Sequence, residues 1–408
     1  MRRPGPGILA GALLVVAVSI SPAVASTSQA GDLLVSDPGT ATVFRVDPSS
    51  GARDTVSSGD DLVRPRGIAV GNDGRLLVTD EGVPGLLRVA PTNGQQHVVS
   101  SGGDFVTPRD VVVAPDGRVL VLDRDAFGSG ALFRVDPGNG QQGVVASGAP
   151  FIDPVDAVVG PRGEVYVADE GADAVIRVDP ASGARAVVSS GGDLQDPQGI
   201  AVGLAGELLV TGRSISAAAG ALFGVDPDTG EQTLVTSGGS FQAPAGVGVD
   251  LDGNVVVADP EAFGGSGGVV RVARFTGAQK TVASGGSFVD PSALTVQPPR
   301  CAGEFATIVG TSGRDVLRGT PFRDVVSALG DLDRVKSGGG NDLVCGGGGN
   351  DFIAGGRGDD VLLAQGSNDS IRGGAGRDRL NGGPGEDRCS GGRGRDRAGG
   401  CESERGVP

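Results

Sequence analysis

A nine-residue period runs from Gly310 to Gly399 of this 408-residue chain without an insertion or deletion. The clearest copies read GGGGND at Gly346–Asp351, GGRGDD at Gly355–Asp360, GGAGRD at Gly373–Asp378, GGPGED at Gly382–Asp387 and GGRGRD at Gly391–Asp396. Ten registers fit, and the sixth position is always Asp: Asp315, Asp324, Asp333, Asp342, Asp351, Asp360, Asp369, Asp378, Asp387 and Asp396. Two residues later stands Leu317, Val326, Val335, Val344, Ile353, Leu362, Ile371 or Leu380, then Cys389 and Ala398. A short strand with one inward aliphatic residue supplies a slice of core. The glycine-rich hexapeptide then reverses the chain through positive φ values that only Gly adopts cheaply. The reversal leaves carbonyl oxygens without strand partners. With one carboxylate per turn they form a hard oxygen donor set, which suits Ca²⁺. The turn positions hold no Cys or His, which disfavours zinc and copper.

The pattern G-G-x-G-x-D-x-U-x resembles the RTX, or hemolysin-type, calcium-binding nonapeptide repeat. The resemblance implies a parallel β-roll in which turns two repeats apart stack along one edge and share Ca²⁺ ions. It places Asp342, Asp360, Asp378 and Asp396 on one edge and Asp351, Asp369 and Asp387 on the other. The implied metal set comprises all ten Asp residues and the backbone at Gly339, Gly347, Gly349, Gly356, Gly358, Gly374, Gly376, Gly383, Gly385 and Gly392. Some copies depart from the pattern. Phe322 replaces the fourth-position Gly, Ala328–Asp333 reads ALGDLD, and Ala364–Asp369 reads AQGSND. Ion binding is expected to be weakest there and strongest between Ser337–Asp342, Gly355–Asp360, Gly373–Asp378 and Gly391–Asp396. Without metal, repelling carboxylates and a thin core favour a disordered segment.

The N-terminus reads as a targeting segment. Arg2 and Arg3 precede an apolar run from Ile8 to Ile20, and Ala23-Val24-Ala25 forms a cleavage site. This predicts a signal peptide over residues 1–25 and a secreted, extracellular protein. The run is too short to cross ~30 Å of hydrocarbon, and no membrane span is expected. The four cysteines, Cys301, Cys345, Cys389 and Cys401, then read as disulfides. Three pairings are possible. Cys301–Cys345 with Cys389–Cys401 is favoured because it pins both ends of the roll. The net charge of −15 argues against nucleic-acid binding. Residues 301–408 carry 16 acidic and 14 basic side chains, so Ca²⁺ affinity there must come from turn geometry rather than bulk charge.

A second repeat, 43 to 47 residues long, occupies residues 31–297. Units begin at Arg66, Arg109, Val155, Gln198 and Ala245. In the first, apolar runs at Ile68–Val70, Leu76–Val78, Leu86–Val89 and His97–Val99 are separated by turn signals such as Asp73-Gly74 and Asn93-Gly94. Four short strands per unit describe a propeller blade. At Gly31 the chain enters on what is a second strand elsewhere, since GDLLVSD aligns with GRLLVTD. The missing first strand is Ser292–Val296, so five whole units and one split unit predict six blades. The unit resembles NHL-type and related six-bladed propellers, some of which are lactonases holding Ca²⁺ in the central channel.

The parts of such an active site are sparse. Asn72, Asn93, Asn139 and Asn254 fall in turns, and the single His, His97, falls on an outer strand. Asp110 and Asp156 replace the glycine of the x-G-I-A-V inner strand in neighbouring blades, beside Arg109 and near Arg66. They are either a cation or acid–base pair or a charged rim. Asp37, Asp80, Asp123, Asp169 and Asp259 close the second strand of each blade, with Gly212 as the exception, and read as turn-capping residues. No nucleophile elbow or phosphate loop is present.

The expectation is an all-β chain: a signal peptide, a six-bladed β-propeller at 31–297 and a parallel β-roll at 301–401. The expected function is secreted Ca²⁺ binding between stacked turns, with the propeller face binding an extracellular protein or glycan. The alternative is a lactonase-like hydrolase or lyase with a metal in the channel.

Overall fold

The computed structural model describes residues 29–406; the predicted signal peptide lies outside the described residues. Six four-stranded antiparallel sheets form the propeller, as expected. Blade one is the split one. Its strand order is Ala293–Val296, Leu33–Asp37, Thr42–Val46, Arg53–Ser58, with Leu33 opposite Val296 and Val35 opposite Leu294. The last propeller strand thus completes the first blade and closes the ring.

The alternation that makes these strands also makes the core. Second strands such as Leu76–Asp80 and Val165–Asp169 are buried at every position, because both faces meet a neighbouring blade. Each inter-blade junction holds its own apolar cluster. Leu33, Val35, Phe44, Val256 and Val269 pack blade six onto blade one; Leu34, Val43, Ile68 and Leu76 pack blade one onto blade two. Outer strands such as Gln96–Ser101 are exposed along one face. There Gln96 bridges blades. Its Oε1 accepts the Asp61 N–H at 2.9 Å, and its Nε2 donates to Gly59 O and Ser57 Oγ at 2.9 Å each.

A hairpin of Arg300–Cys301 and Glu304–Phe305 leads out of the propeller. The chain then winds into two six-stranded parallel sheets whose registers step by eighteen residues: Val335 pairs with Ile353, and Ile353 with Ile371. The aliphatic residues of the ninefold pattern meet between the sheets, where Val326, Val335, Val344, Ile353, Leu362 and Ile371 are fully buried. Disulfides join Cys301 to Cys345 and Cys389 to Cys401. The roll contacts the propeller face that carries the turns between first and second strands. Ser312 N donates to Leu251 O at 3.0 Å, its hydroxyl meets Asp252 at 3.1 Å, and the Phe305 ring covers Gly74.

Candidate metal centre

The structure sorts the ten aspartates onto two edges. On one, Asp324, Asp342, Asp360 and Asp378 each donate their backbone N–H to the Oδ1 of the aspartate eighteen residues ahead, at 2.9–3.0 Å. On the other, Asp315, Asp333, Asp351 and Asp369 do the same at 2.7–2.9 Å. One oxygen of each receiving carboxylate is thereby engaged. The second is not. Oδ2 of Asp333, Asp342, Asp351, Asp360, Asp369, Asp378, Asp387 and Asp396 is buried and accepts no hydrogen bond. Eight anionic oxygens out of water without partners are costly.

Asp315 and Asp324 differ. Asp315 Oδ2 accepts from Thr311 N and Oγ1 at 2.6 and 3.0 Å, and Asp324 Oδ2 from Thr320 N and Oγ1 at 2.7 and 3.1 Å. A threonine in the hexapeptide satisfies the carboxylate at the start of the roll. The sequence showed these threonines, but the ninefold consensus hid their role.

The glycines form a cradle of carbonyls. Gly356, Gly374 and Gly392 each stack on the carbonyl of the turn before, so that an added Cβ would overlap Gly338 O, Gly356 O and Gly374 O in turn. Gly358 and Gly376 stand likewise on Gly340 O and Gly358 O. On the other edge Gly347 stacks on Leu329 O, Gly349 on Asp331 O, Gly383 on Gln365 O and Gly385 on Ser367 O. Gly339 sits elsewhere, in the third position; Gly338 and Gly340, both with positive φ, hold the stacked places of that turn.

In the irregular copies the same geometry is forced on other residues. Leu329, Asp331, Gln365 and Ser367 have φ between 67° and 82°. Left-handed backbone costs a non-glycine residue roughly 1–2 kcal/mol. Gln365 and Ser367 are exposed, so Gln365→Gly should remove strain without loss of packing. We expect it to stabilise the metal-loaded roll by about 1 kcal/mol in denaturant titration; an unchanged or lower midpoint would show that the turn stores no such strain.

Burial raises these carboxyls. Asp333, Asp360 and Asp369 are pushed up to about 7 and Asp351 to about 6, by desolvation first, with the charge of neighbouring aspartates adding to it. Asp342 and Asp378 are raised for the same leading reason. The fifth position of the turns carries its own ladder. Asn341 Oδ1 accepts Asp359 N, and Asp359 takes both the N–H and the guanidinium of Arg377, the latter at 2.8 Å.

These residues fit Ca²⁺. The donors are oxygens only, eight buried carboxylate oxygens lack partners, and glycines leave the carbonyl cradle open. Among the described residues no three of His, Cys, Asp or Glu converge on one point; the aspartates stand one above another in two ladders.

The propeller channel is different in kind. Asp110 and Asp156 hydrogen-bond each other, and burial raises both carboxyls. Each also reaches the next blade: Asp110 Oδ2 accepts Ala157 N at 3.1 Å and Asp156 Oδ2 accepts Ile200 N at 2.7 Å, while Asp156 Oδ1 accepts Ala157 N of its own strand at 3.0 Å. In blades two and five a second-strand hydroxyl makes the inter-blade bond instead, from Thr79 to Arg109 O and from Thr211 to Ala245 O. Blades three and four have Leu122 and Ala168 there. The two aspartates therefore latch blades where the hydroxyl is missing, a substitution legible only once blades are compared position by position. Above them opens a cavity of about 380 Å³ lined by Arg66, Arg109, Gln198 and Arg213. His97 is exposed on the outer strand of blade two, away from the channel.

The fold and the turns together define an all-β protein with a propeller followed by a calcium-binding type of β-roll. Residues 309–398 are RTX calcium-binding nonapeptide repeats, matched in four overlapping copies at 309–344, 330–362, 346–378 and 363–398. No curated protein sequence matches the chain. Among solved structures, the crystal structure of a nidogen/laminin complex aligns with 66% of this chain and 99% of its own at 15% identity and a TM-score of 0.55. A streptogramin B lyase structure aligns with 65% of this chain and 84% of its own at 12% identity and a TM-score of 0.50. At such identities the likeness is one of fold.

Proposed function

We propose that the protein is exported and binds Ca²⁺ along both edges of its C-terminal roll, while the propeller serves as a binding module for an extracellular protein or glycan. The observation that carries this reading is the set of eight buried, unpartnered Asp Oδ2 atoms. Asp342, Asp360, Asp378 and Asp396 would hold ions on one edge, and Asp333, Asp351, Asp369 and Asp387 on the other, with carbonyls of the glycine turns as further donors. Bound Ca²⁺ would neutralise the carboxylates and link each turn to the one stacked on it. The chain's own part is to hold the oxygens ready: the Asp N–H bonds orient the carboxylates, the glycines clear the space, and the aliphatic column sets the spacing. The threonine-capped Asp315 and Asp324 would contribute least.

Two disulfides support an oxidising location, where Ca²⁺ is abundant enough for weak sites. The roll covers one face of the propeller. The other face surrounds the channel mouth with exposed Val63, Val83, Val106, Phe127, Ile152 and Val289, which supports a role in partner binding. Equilibrium dialysis of the full chain should show uptake of several Ca²⁺ equivalents by millimolar concentration. No uptake at that concentration would overturn the reading.

A further inference from the structure

The edge that carries Asp351, Asp369 and Asp387 does not end where the ninefold period ends. The eighteen-residue step puts residue 406 opposite Arg388, yet the structure has Ser403 there, followed by Glu404 opposite Cys389 and Arg405 opposite Ser390. Three residues are missing from this turn. Gly400 still stacks on Gly382, where a first-position residue belongs. Glu402 immediately precedes the strand Ser403–Arg405, just as Asp387 immediately precedes Arg388–Arg393. Glu402 thus stands in the register of an eleventh aspartate.

It also makes that aspartate's bond. Asp369 Oδ1 accepts Asp351 N, and Asp387 Oδ1 accepts Asp369 N, each at 2.7 Å; Glu402 Oε2 accepts Asp387 N at 2.6 Å. The N–H groups of Glu402 and Ser403 return to Asp387 O at 3.2 and 3.1 Å. A side chain one methylene longer makes the contact from a turn three residues shorter. The neighbouring Cys401 is bonded to Cys389 in the roll core, which fixes the turn. Next to it, Oδ2 of Asp387 is buried and without a partner, so the end of this edge presents the same unmet oxygen as the turns before it.

We propose that Glu402 supplies a carboxylate to a further divalent-cation site between the turn Gly382–Asp387 and the shortened turn Gly400–Glu402, and that the Cys389–Cys401 disulfide positions it. The proposal rests on the reading of the roll as a Ca²⁺ binder. Its rival is a cap that merely accepts the last N–H. Glu402→Gln separates the two, because the amide oxygen can still accept from Asp387 N while the charge is gone.

The test uses the full chain titrated with Ca²⁺. Bound metal is measured by equilibrium dialysis, and amide-exchange protection is followed peptide by peptide. For E402Q we expect the loss of one equivalent, or protection of residues 382–405 that needs roughly tenfold more free Ca²⁺, with residues 346–378 titrating as in wild type. An E402Q protein indistinguishable from wild type overturns the proposal, and a defect in Glu402→Ala alone would then assign the cap. Replacing Cys389 and Cys401 together by Ser should reproduce the E402Q shift; wild-type behaviour of that variant would remove the positioning role. A wild-type chain that takes up no Ca²⁺ would instead overturn the broader reading.

Discussion

Chelation of Ca²⁺ is expected to unfold residues 310–405 and to leave the propeller folded. The roll has one aliphatic residue per half-turn as its core, too little apolar area to offset both chain ordering and buried charge. Eight carboxylate oxygens are desolvated without partners, and stacked aspartates repel one another. Metal binding would supply the missing folding free energy. The propeller has no such debt, since its six blade junctions are apolar and its buried aspartates accept backbone N–H groups. The Cys301–Cys345 bond closes a loop of 44 residues and limits the freedom of the unfolded segment, which favours prompt refolding on adding Ca²⁺. Far-UV circular dichroism should lose part of its β signal reversibly, and hydrogen exchange should place the loss in the roll. Protection of the roll in chelator at pH 7.5 would contradict this.

The raised carboxyls give the metal-free roll a pH dependence of definite sign. Asp333, Asp360 and Asp369 titrate near 7 when folded and Asp351 near 6, against about 4 in the unfolded chain. Between those values the folded state holds more protons than the unfolded state. Stability of the metal-free roll therefore falls as pH rises from about 4 to 7 and changes little below that window. Lowering pH from 7.5 to 5 in chelator should restore exchange protection partly. In Ca²⁺ the same protons compete with the ion for the same oxygens, so apparent affinity should weaken over that range. A chelated roll that loses protection on acidification would refute the assignment of these carboxyls as the destabilising charges.

The roll was legible because its periods are exact in sequence and each residue type has one physical use. Asp at every ninth place fixed the edges, and the aliphatic two residues later fixed the inner face. The six blades were legible from the split repeat, because Ser292–Val296 supplies the strand that Gly31 lacks. What stayed hidden depended on exceptions. Thr311 and Thr320 satisfy Asp315 and Asp324, a local bond that would compete with a metal and leaves no mark on the period. Asp110 and Asp156 read as a charged rim, with a reactive pair as the alternative; their role as latches depends on Leu122 and Ala168 lacking the hydroxyl that Thr79 and Thr211 carry. The bridging role of Gln96 is not visible locally, since its partners lie some forty residues away in the preceding blade.

Asp123→Ala should be among the most damaging substitutions in the propeller. The Asp123 side chain is fully buried and its carboxylate gathers four backbone N–H groups: Val106 at 2.8 Å, Thr107 at 3.0 Å, Asp125 at 3.1 Å and Ala126 at 2.9 Å. The first pair belongs to the loop that enters the inner strand Pro108–Val113, and the second to the turn after its own strand. One side chain thus holds both loops of the blade. Each stranded buried N–H costs roughly 1–3 kcal/mol. Water will reach some of them, so a net loss of about 3–5 kcal/mol is expected, a large share of the 5–15 kcal/mol typical of a domain. Blade five shows what a replacement must do. Where Gly212 stands in place of the aspartate, Asp193 accepts from Ser216 N at 2.6 Å and from the Ser214 hydroxyl at 2.7 Å. In blade three the neighbouring Asp125 carboxylate accepts the Thr107 hydroxyl at 2.7 Å and none of these four amides, so it does not take the place of Asp123. Equilibrium denaturation of the chelated protein, where only the propeller remains to unfold, would read the loss directly. A shift below about 1 kcal/mol would mean that water satisfies all four amides and that the repeated aspartate is dispensable to the blade.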